Sequence, residues 1–383
     1  MPKDINSKSF TPETQIKLEI FRRYFREWFP VFANTPYSKC LYVYDFFAGS
    51  GYDSDGEPGS PIILLQEAKS HCKTIENKGK SVYFTFNEYD KGKCKLLKEN
   101  VDEYISKCQI ENGCDKCIFT KGVINKDFVP MFESNDHIKS VLINKDYSKF
   151  IILDQYGFTK VDQNVFNTLI NSPRTDFIFF ISSSFLRRFQ DHPVTKKFLG
   201  EFKLPFDETK PKECHRVIAE YFESLIPAGK EYYLNHFTIK KGSNYYGLIM
   251  GTSHSLGMEK FQRVCWEVDK LAGESNCNIE NDFVPGELFY SENEDTNKIT
   301  KVKSQLESEI LSGKITDNIS GLKRALKLRC QPKVFTEVVT ALEKSKKIER
   351  VGSLNNRSTD IHRIKTDNSD YFKIIICYED NKD

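Results

Sequence analysis

Apolar positions along the first part of the chain switch repeatedly between helical spacing and short continuous runs. Ile16, Ile20, Tyr24 and Trp28 recur at helical spacing behind Thr11, suited to cap, and Pro12, suited to the first turn, so a helix is predicted to about Phe32. Leu41–Phe46 is an apolar run that ends in a glycine turn, and Pro61–Ala68 reads as the helix after it. Ser81–Phe86 predicts a second strand, residues 91–105 a helix, and Cys117–Thr120 a short third strand. Phe150–Leu153 and Phe177–Ile181 read as strands buried on both faces, with Val161–Ile170 as the crossover helix between them. Strands separated by helices imply a mostly parallel sheet covered on both sides. Beyond Lys210 a helix is predicted at 213–225, then a hairpin of Tyr232–Lys240 and Tyr245–Gly251, then a helix at 261–271. Three further helices at about 299–312, 318–328 and 332–346 precede strands at Ile348–Val351 and Tyr371–Cys377, the order of a winged helix.

Length and charge divide this pattern into domains. The 383 residues suit an α/β domain over 1–290, an acidic linker over 291–298 and a winged-helix-like basic domain over 299–383. With 56 Lys and Arg against 54 Asp and Glu, the chain is no bulk polyanion binder, so nucleic-acid contact requires a local patch. Lys298–Arg350 supplies one, with thirteen basic residues against six acidic. Within it Lys323, Arg324, Lys327, Arg329 and Lys333 suit the phosphates of DNA or RNA, or else form the solvated face of an interaction domain. No apolar run is long enough to span a membrane, and the polar N-terminus lacks a signal-peptide core. The odd count of 11 cysteines fits reduced thiols and a cytoplasmic location.

The densest chemistry follows the first strand, in Asp45-Phe46-Phe47-Ala48-Gly49-Ser50-Gly51. Glycines two apart let the backbone take a tight turn and pass close beneath a ligand. The third glycine of a dinucleotide fingerprint is missing, so the spacing fits a methionine–adenosine cofactor without a pyrophosphate. Glu88 ends the second strand, where a carboxylate can accept both hydroxyls of a ribose; Asp90 is a candidate cap of the next helix. Gly122 and Val123, placed after the third strand, are candidates for the adenine pocket. The buried run Ile151–Leu153 leads into Asp154-Gln155-Tyr156-Gly157. Asp154 can accept from an amine and Tyr156 can stack on a planar base, with Gln155 between them, which is the makeup of a methyl-acceptor site. The alternative for each acid is a helix cap.

Taken together, these stretches resemble the three-Cys-motif partner (TcmP) family. The likeness covers roughly residues 10–270: the helix Lys17–Trp28, the turn Asp45–Gly51, Gly56-Glu-Pro-Gly-Ser-Pro61, the Asp154–Gly157 element, and Tyr245–His254 with the helix through Trp266. It implies a Rossmann-like class I methyltransferase sheet, mostly parallel with a C-terminal antiparallel hairpin, and S-adenosylmethionine as cofactor. It also implies a companion protein that carries the three-cysteine motif. Where the family often has Asp-Pro-aromatic-Gly, this chain has Gln155 in place of the proline.

In this reading Phe47, Gly49 and Gly51 shape the cofactor turn, Asp45 orients the methionine amino end directly or through water, Glu88 holds the ribose, and Asp154 and Tyr156 position the acceptor. No metal is required. Cys94, Cys108, Cys114 and Cys117 pose a separate choice between a zinc knuckle and ordinary reduced thiols, since a second tight pair is missing. The alternatives to an active methyltransferase are a catalytically silent scaffold or cofactor sensor and, ranked last, a nicotinamide-dependent oxidoreductase.

Overall fold

Helix α1 (Pro12–Asn34) leads into strand β1 (Cys40–Asp45), and strands and helices then alternate as the apolar pattern requires. After β1 come α2 (Ser60–Lys69) and α3 (Cys72–Asn77), then β2 (Ser81–Asn87) and α4 (Lys91–Asn112). Strand β3 (Thr120–Ile124) is followed by α5 (Phe128–Ser134) and α6 (Asp136–Ile143), and β4 (Tyr147–Leu153) by α7 (Gln163–Asn171). Beyond β5 (Thr175–Ile181) lie α8 (Ser183–Arg188), α9 (Pro193–Leu199) and α10 (Cys214–Ser224), and β6 (Tyr233–Lys241) and β7 (Asn244–Thr252) form the hairpin. This computed structural model describes residues 8–200, 202, 204–206, 209–291, 294–355, 358–362, 364–366 and 369–377.

The seven strands form one sheet in the order β3-β2-β1-β4-β5-β7-β6. Strands β1 to β5 pair in parallel, while β7 runs antiparallel to both β5 and β6. This is the Rossmann-like class I methyltransferase sheet. The chain winds outward from β1 through β2 to β3 and restarts at β4 on the other side of β1. The switch point therefore opens a crevice at the carboxyl ends of β1, β2 and β4.

Alternation along β1 explains how both faces are covered. Tyr42, Tyr44 and Phe46 join one core cluster with Phe166, Phe179 and Phe222. The opposite face is closed by α1, whose Phe25 and Trp28 rings lie 5.2 and 5.3 Å from Phe150 of β4. Each fully buried ring of this size contributes roughly 1.5–3 kcal/mol.

Two differences from the sequence reading have physical causes. Helices α5, α6, α8 and α9 have six to eight residues, too few turns for a 3.6-residue period to stand out. The third strand lies at Thr120–Ile124 rather than Cys117–Thr120, because an edge strand needs no continuous apolar run. Gly122 and Val123 consequently sit inside β3, paired with Thr85 and Phe86, and not in the loop beyond it.

The chain divides into two compact units, Met1–Ser253 and His254–Asp383. The second holds α11 (Ser255–Val268), α12 (Asn297–Leu311), α13 (Asn318–Lys327), α14 (Lys333–Lys344) and an antiparallel pair of β8 (Ile348–Val351) and β9 (Lys373–Ile376). Helices α12 to α14 precede the two strands in the order that the sequence led one to expect. The division falls before α11 rather than at 291–298, of which residues 292 and 293 lie outside the described residues. The reason is that α11 packs on α13, where buried Gln262 Nε2 donates to Leu326 O at 2.7 Å. Among the described residues no helix is long and apolar enough to cross a membrane.

Candidate functional site

At the end of β1 the chain turns through Phe46–Gly51, with Gly49 at φ 64° and Gly51 at φ 90°. Both lie in the left-handed region that a Cβ disfavours. Three neighbours hold the turn. Asn87, buried at the end of β2, accepts from Ala48 N through its carbonyl at 2.9 Å. Its side-chain Nδ2 donates to Phe46 O and Lys126 O, both at 3.1 Å, so one amide ties the loops after β1, β2 and β3. Asn100 of α4 donates to Ser50 O at 2.7 Å, and Gly59 N donates to Gly51 O at 2.8 Å. The Gly56–Pro61 stretch thus brings the start of α2 against the turn.

The residues of the turn separate by role. Phe46 is buried against Phe128 at 5.2 Å and belongs to the core, while half-buried Phe47 lies 5.1 Å from the same ring. A Cβ on Gly51 would meet Asn100 and Leu97 at 3.4 Å, so Gly51 faces α4, with Ala48 buried beside the turn. Gly49 faces Glu88: its N–H donates to Glu88 Oε2 at 3.0 Å, and Asp90 N donates to Glu88 Oε1 at 2.8 Å. Asp90 itself caps α4, accepting from Lys93 N at 2.9 Å. The expected pairing of glycine turn and strand-end acid is therefore formed.

Asp45 lies wholly buried beneath this turn. Its Oδ1 accepts from Phe47 N at 3.2 Å, and the carboxyl also takes a hydrogen bond from the Ser60 hydroxyl of α2. Oδ2 has no partner. Burial pushes its pKa up to about 7, the Ser60 and Phe47 hydrogen bonds oppose that rise, and the nearby charges of Asp154 and Glu88 add to it. Three acids thus converge where β1, β2 and β4 end.

The Asp154–Gly157 stretch is arranged less openly than its sequence implies. Asp154 Oδ2 is ion-paired with Lys17 Nζ of α1 at 2.5 Å, and that ammonium also lies 5.0 Å from the centre of the Phe180 ring. Gln155 turns inward, 1% exposed, where Oε1 accepts from Lys160 N at 2.8 Å and from Val161 N. It shapes the loop, and its buried Nε2 has no partner. Tyr156, 87% exposed, presents its ring to solvent. Further along the same end of the sheet, the exposed Phe185 and Phe189 rings lie 4.4 Å apart. Lys17, Ser60 and Asn87 are the contributors that spacing did not single out. Lys17 and Ser60 carried only an indirect signal, as parts of the Lys17–Trp28 and Gly56–Pro61 stretches.

In the second unit the basic residues of α13 also separate. Arg324 donates twice to the Glu309 carboxylate of α12, at 2.7 and 2.6 Å, and is a clamp between helices rather than a free phosphate ligand. Lys327 and Lys333 are exposed, whereas Lys323 and Arg329 are half-buried.

No protein-family model and no curated protein matches this chain. Among solved structures it is similar to Trm1 from Pyrococcus horikoshii in complex with S-adenosyl-L-methionine, at 11% identity and TM-score 0.38, over 99% of this chain and 95% of that one. It is similar to the N-terminal domain of human METTL16 in complex with SAH, at 11% identity and TM-score 0.31, over 62% and 71%. A putative O-methyltransferase from Klebsiella pneumoniae shares 10% identity at TM-score 0.30, over 63% and 90%. At such scores it is the strand order of this chain, and not these likenesses, that defines the fold.

Proposed function

We propose that this chain is an S-adenosylmethionine-dependent methyltransferase acting on nucleic acid. The observation that carries the reading is the buried, unpartnered Oδ2 of Asp45 beneath a glycine turn whose Gly49 is bridged to Glu88. A buried carboxylate oxygen without a partner is costly unless a ligand donor completes it. The residues present fit the cofactor: Asp45 would hold its amino end and Glu88 its ribose, and no pyrophosphate is needed where the third glycine is absent. Bound S-adenosylmethionine supplies an electrophilic methyl group on a positively charged sulfur. The acids at 45 and 88 set a negative field that complements such a cation. Tyr156 offers a stacking face for a base, and Asp154 accepts from an exocyclic amine once Lys17 releases it. Most of the acceleration then comes from alignment. Exposed Lys327 and Lys333 suit the phosphates of DNA or RNA. A companion three-Cys-motif protein is part of the proposal on the strength of the resemblance.

A second reading, a silent scaffold or cofactor sensor, is favoured by one observation: Asp154 is engaged by Lys17 while Gln155 is turned away. Calorimetry with S-adenosylmethionine tests the shared part. Glu88→Gln is expected to weaken binding about 10-fold, the worth of one charged hydrogen bond; no heat from the wild-type chain, together with tight nicotinamide binding, would establish the oxidoreductase instead. Transfer of a tritiated methyl group, assayed over DNA, RNA and the companion, separates the first two readings. Binding without transfer to any of them supports the scaffold.

A further inference from the structure

Beside the candidate site, exposed aromatic rings gather where β4 and β5 end. Tyr156 follows β4, Phe185 lies on α8 and Phe189 just after it, and all three are exposed. Single exposed apolar side chains are ordinary, but neighbouring ones mark a place where something binds. These three are neighbours. Gly157 O, adjoining Tyr156, accepts from Ser182 N at 2.9 Å, at the start of α8. Phe158, buried in the core from the same loop, lies 5.7 Å from Phe185, which in turn lies 4.4 Å from Phe189. The ring of His192 continues the row, 6.5 Å beyond Phe189.

Other contacts hold the row in place. Leu186 of α8 is buried in the core. Tyr245 N donates to Ser184 Oγ at 2.7 Å and Arg188 Nη2 to Asn244 Oδ1 at 3.0 Å, which ties α8 to β7. His192 Nδ1 accepts from Val194 N at 3.2 Å and so caps α9. Rings fixed in advance lose little freedom when a ligand settles on them. The charge around them is positive: residues 182–197 hold Arg187, Arg188, Lys196 and Lys197 against the single acid Asp191. Lys196 pairs with Asp191 at 3.6 Å, and Arg188 and Lys197 are exposed.

We propose that Tyr156, Phe185 and Phe189, with the exposed cations of α8 and α9, form a platform for single-stranded nucleic acid that leads the acceptor base to Asp154. This rests on the reading that the chain acts on nucleic acid, and it narrows that reading to unpaired strands. Aromatic rings interleaved with cations suit a strand whose bases are free to stack, whatever their sequence. A duplex keeps its base faces stacked on one another and offers such a platform little besides phosphates. Position favours a strand over a protein as the occupant. Asp154 lies two residues before Tyr156, so a flexible strand resting on the rings reaches it, whereas a docked protein would cover it.

Fluorescence anisotropy of the full chain without cofactor tests this with three labelled probes of equal length: oligouridine, oligothymidine and a blunt DNA duplex. At equal salt, at least one single strand is expected to bind about 10-fold tighter than the duplex, and the better of the two tells RNA from DNA. Phe185→Leu with Phe189→Leu keeps apolar packing but removes the aromatic faces. That double variant and Tyr156→Ala are each expected to weaken single-strand binding about 10-fold, the worth of one stacked base. Tyr37→Ala, exposed at the opposite end of the sheet before β1, is expected to bind as the wild type does. Where the double variant melts early, Tyr156→Ala decides, since its exposed ring packs into no core. Equal affinity for duplex and single strand would overturn the platform and leave the nucleic-acid reading standing. So would full affinity in both ring variants, which places the strand elsewhere on the chain. Failure to bind any probe would overturn both and leave the rings to a protein partner.

Discussion

Burial holds the Asp45 carboxyl at a pKa of about 7 and that of Asp176 at about 6, the latter against opposing hydrogen bonds from Thr252 and Tyr24. Both folded-state values exceed the unfolded one, so the folded chain binds more protons and its stability falls as pH rises between them. The contribution of Asp45 is fully present below about pH 4 and is lost by about pH 7, on the order of 4 kcal/mol over that window. Asp45→Asn removes this component. Urea unfolding of the ligand-free chain at pH 5 and pH 8 is expected to show a smaller drop for the variant than for the wild type; equal drops would refute the assignment. The same substitution is expected to weaken S-adenosylmethionine binding about 10- to 100-fold by calorimetry, since a cationic donor loses its charged acceptor. Lys17 makes the converse test. Lys17→Met leaves Asp154 unpaired at 20% side-chain exposure, and a double-mutant cycle with Asp154→Asn is expected to return a coupling of about 1 kcal/mol in stability.

Among the elements, single buried polar side chains hold the loops that carry the site. Asn87 bonds Phe46 O and Lys126 O and accepts from Lys126 N. Asn87→Ala is expected to cost about 1–3 kcal/mol in denaturant unfolding, from three stranded backbone groups. Buried Lys149 of β4 similarly donates to the carbonyls of Val141, Leu142 and Asn144 at the end of α6. Neither role was legible in the chain, because an isolated Asn or Lys within an apolar run announces no partner. The strands themselves were legible: Leu41 to Tyr44, Phe150 to Leu153 and Phe177 to Ile181 are apolar runs in the central strands, and only the central strands of a covered sheet have that composition. Strand β3 shifted because an edge strand can be polar.

Over the whole molecule, the division before α11 shows that order along the chain does not determine which core an element joins. Helix α11 directly follows the hairpin, yet its Gln262 bonds Leu326 of α13. The basic cluster shows the same effect, since a positive local balance did not distinguish Arg324, committed to Glu309, from exposed Lys327 and Lys333. If the second unit contacts phosphates, Lys327→Ala with Lys333→Ala is expected to flatten the dependence of binding on salt by about two counterions. Arg324→Ala is expected instead to lower stability by about 1 kcal/mol and leave that slope unchanged. A fluorescence-anisotropy salt titration of each variant separates these outcomes.

Local features determined the sheet, the glycine turn from Asp45 to Gly51 and the acid at Glu88, because strand burial and left-handed backbone are imposed on the very residues that carry them. Tertiary structure alone decided that Glu88 would bridge Gly49, that Lys17 would occupy Asp154 and that Gln155 would turn inward. A contact between residues 39 or 137 positions apart depends on how whole elements stack, and that packing leaves no periodic signature in the residues it brings together.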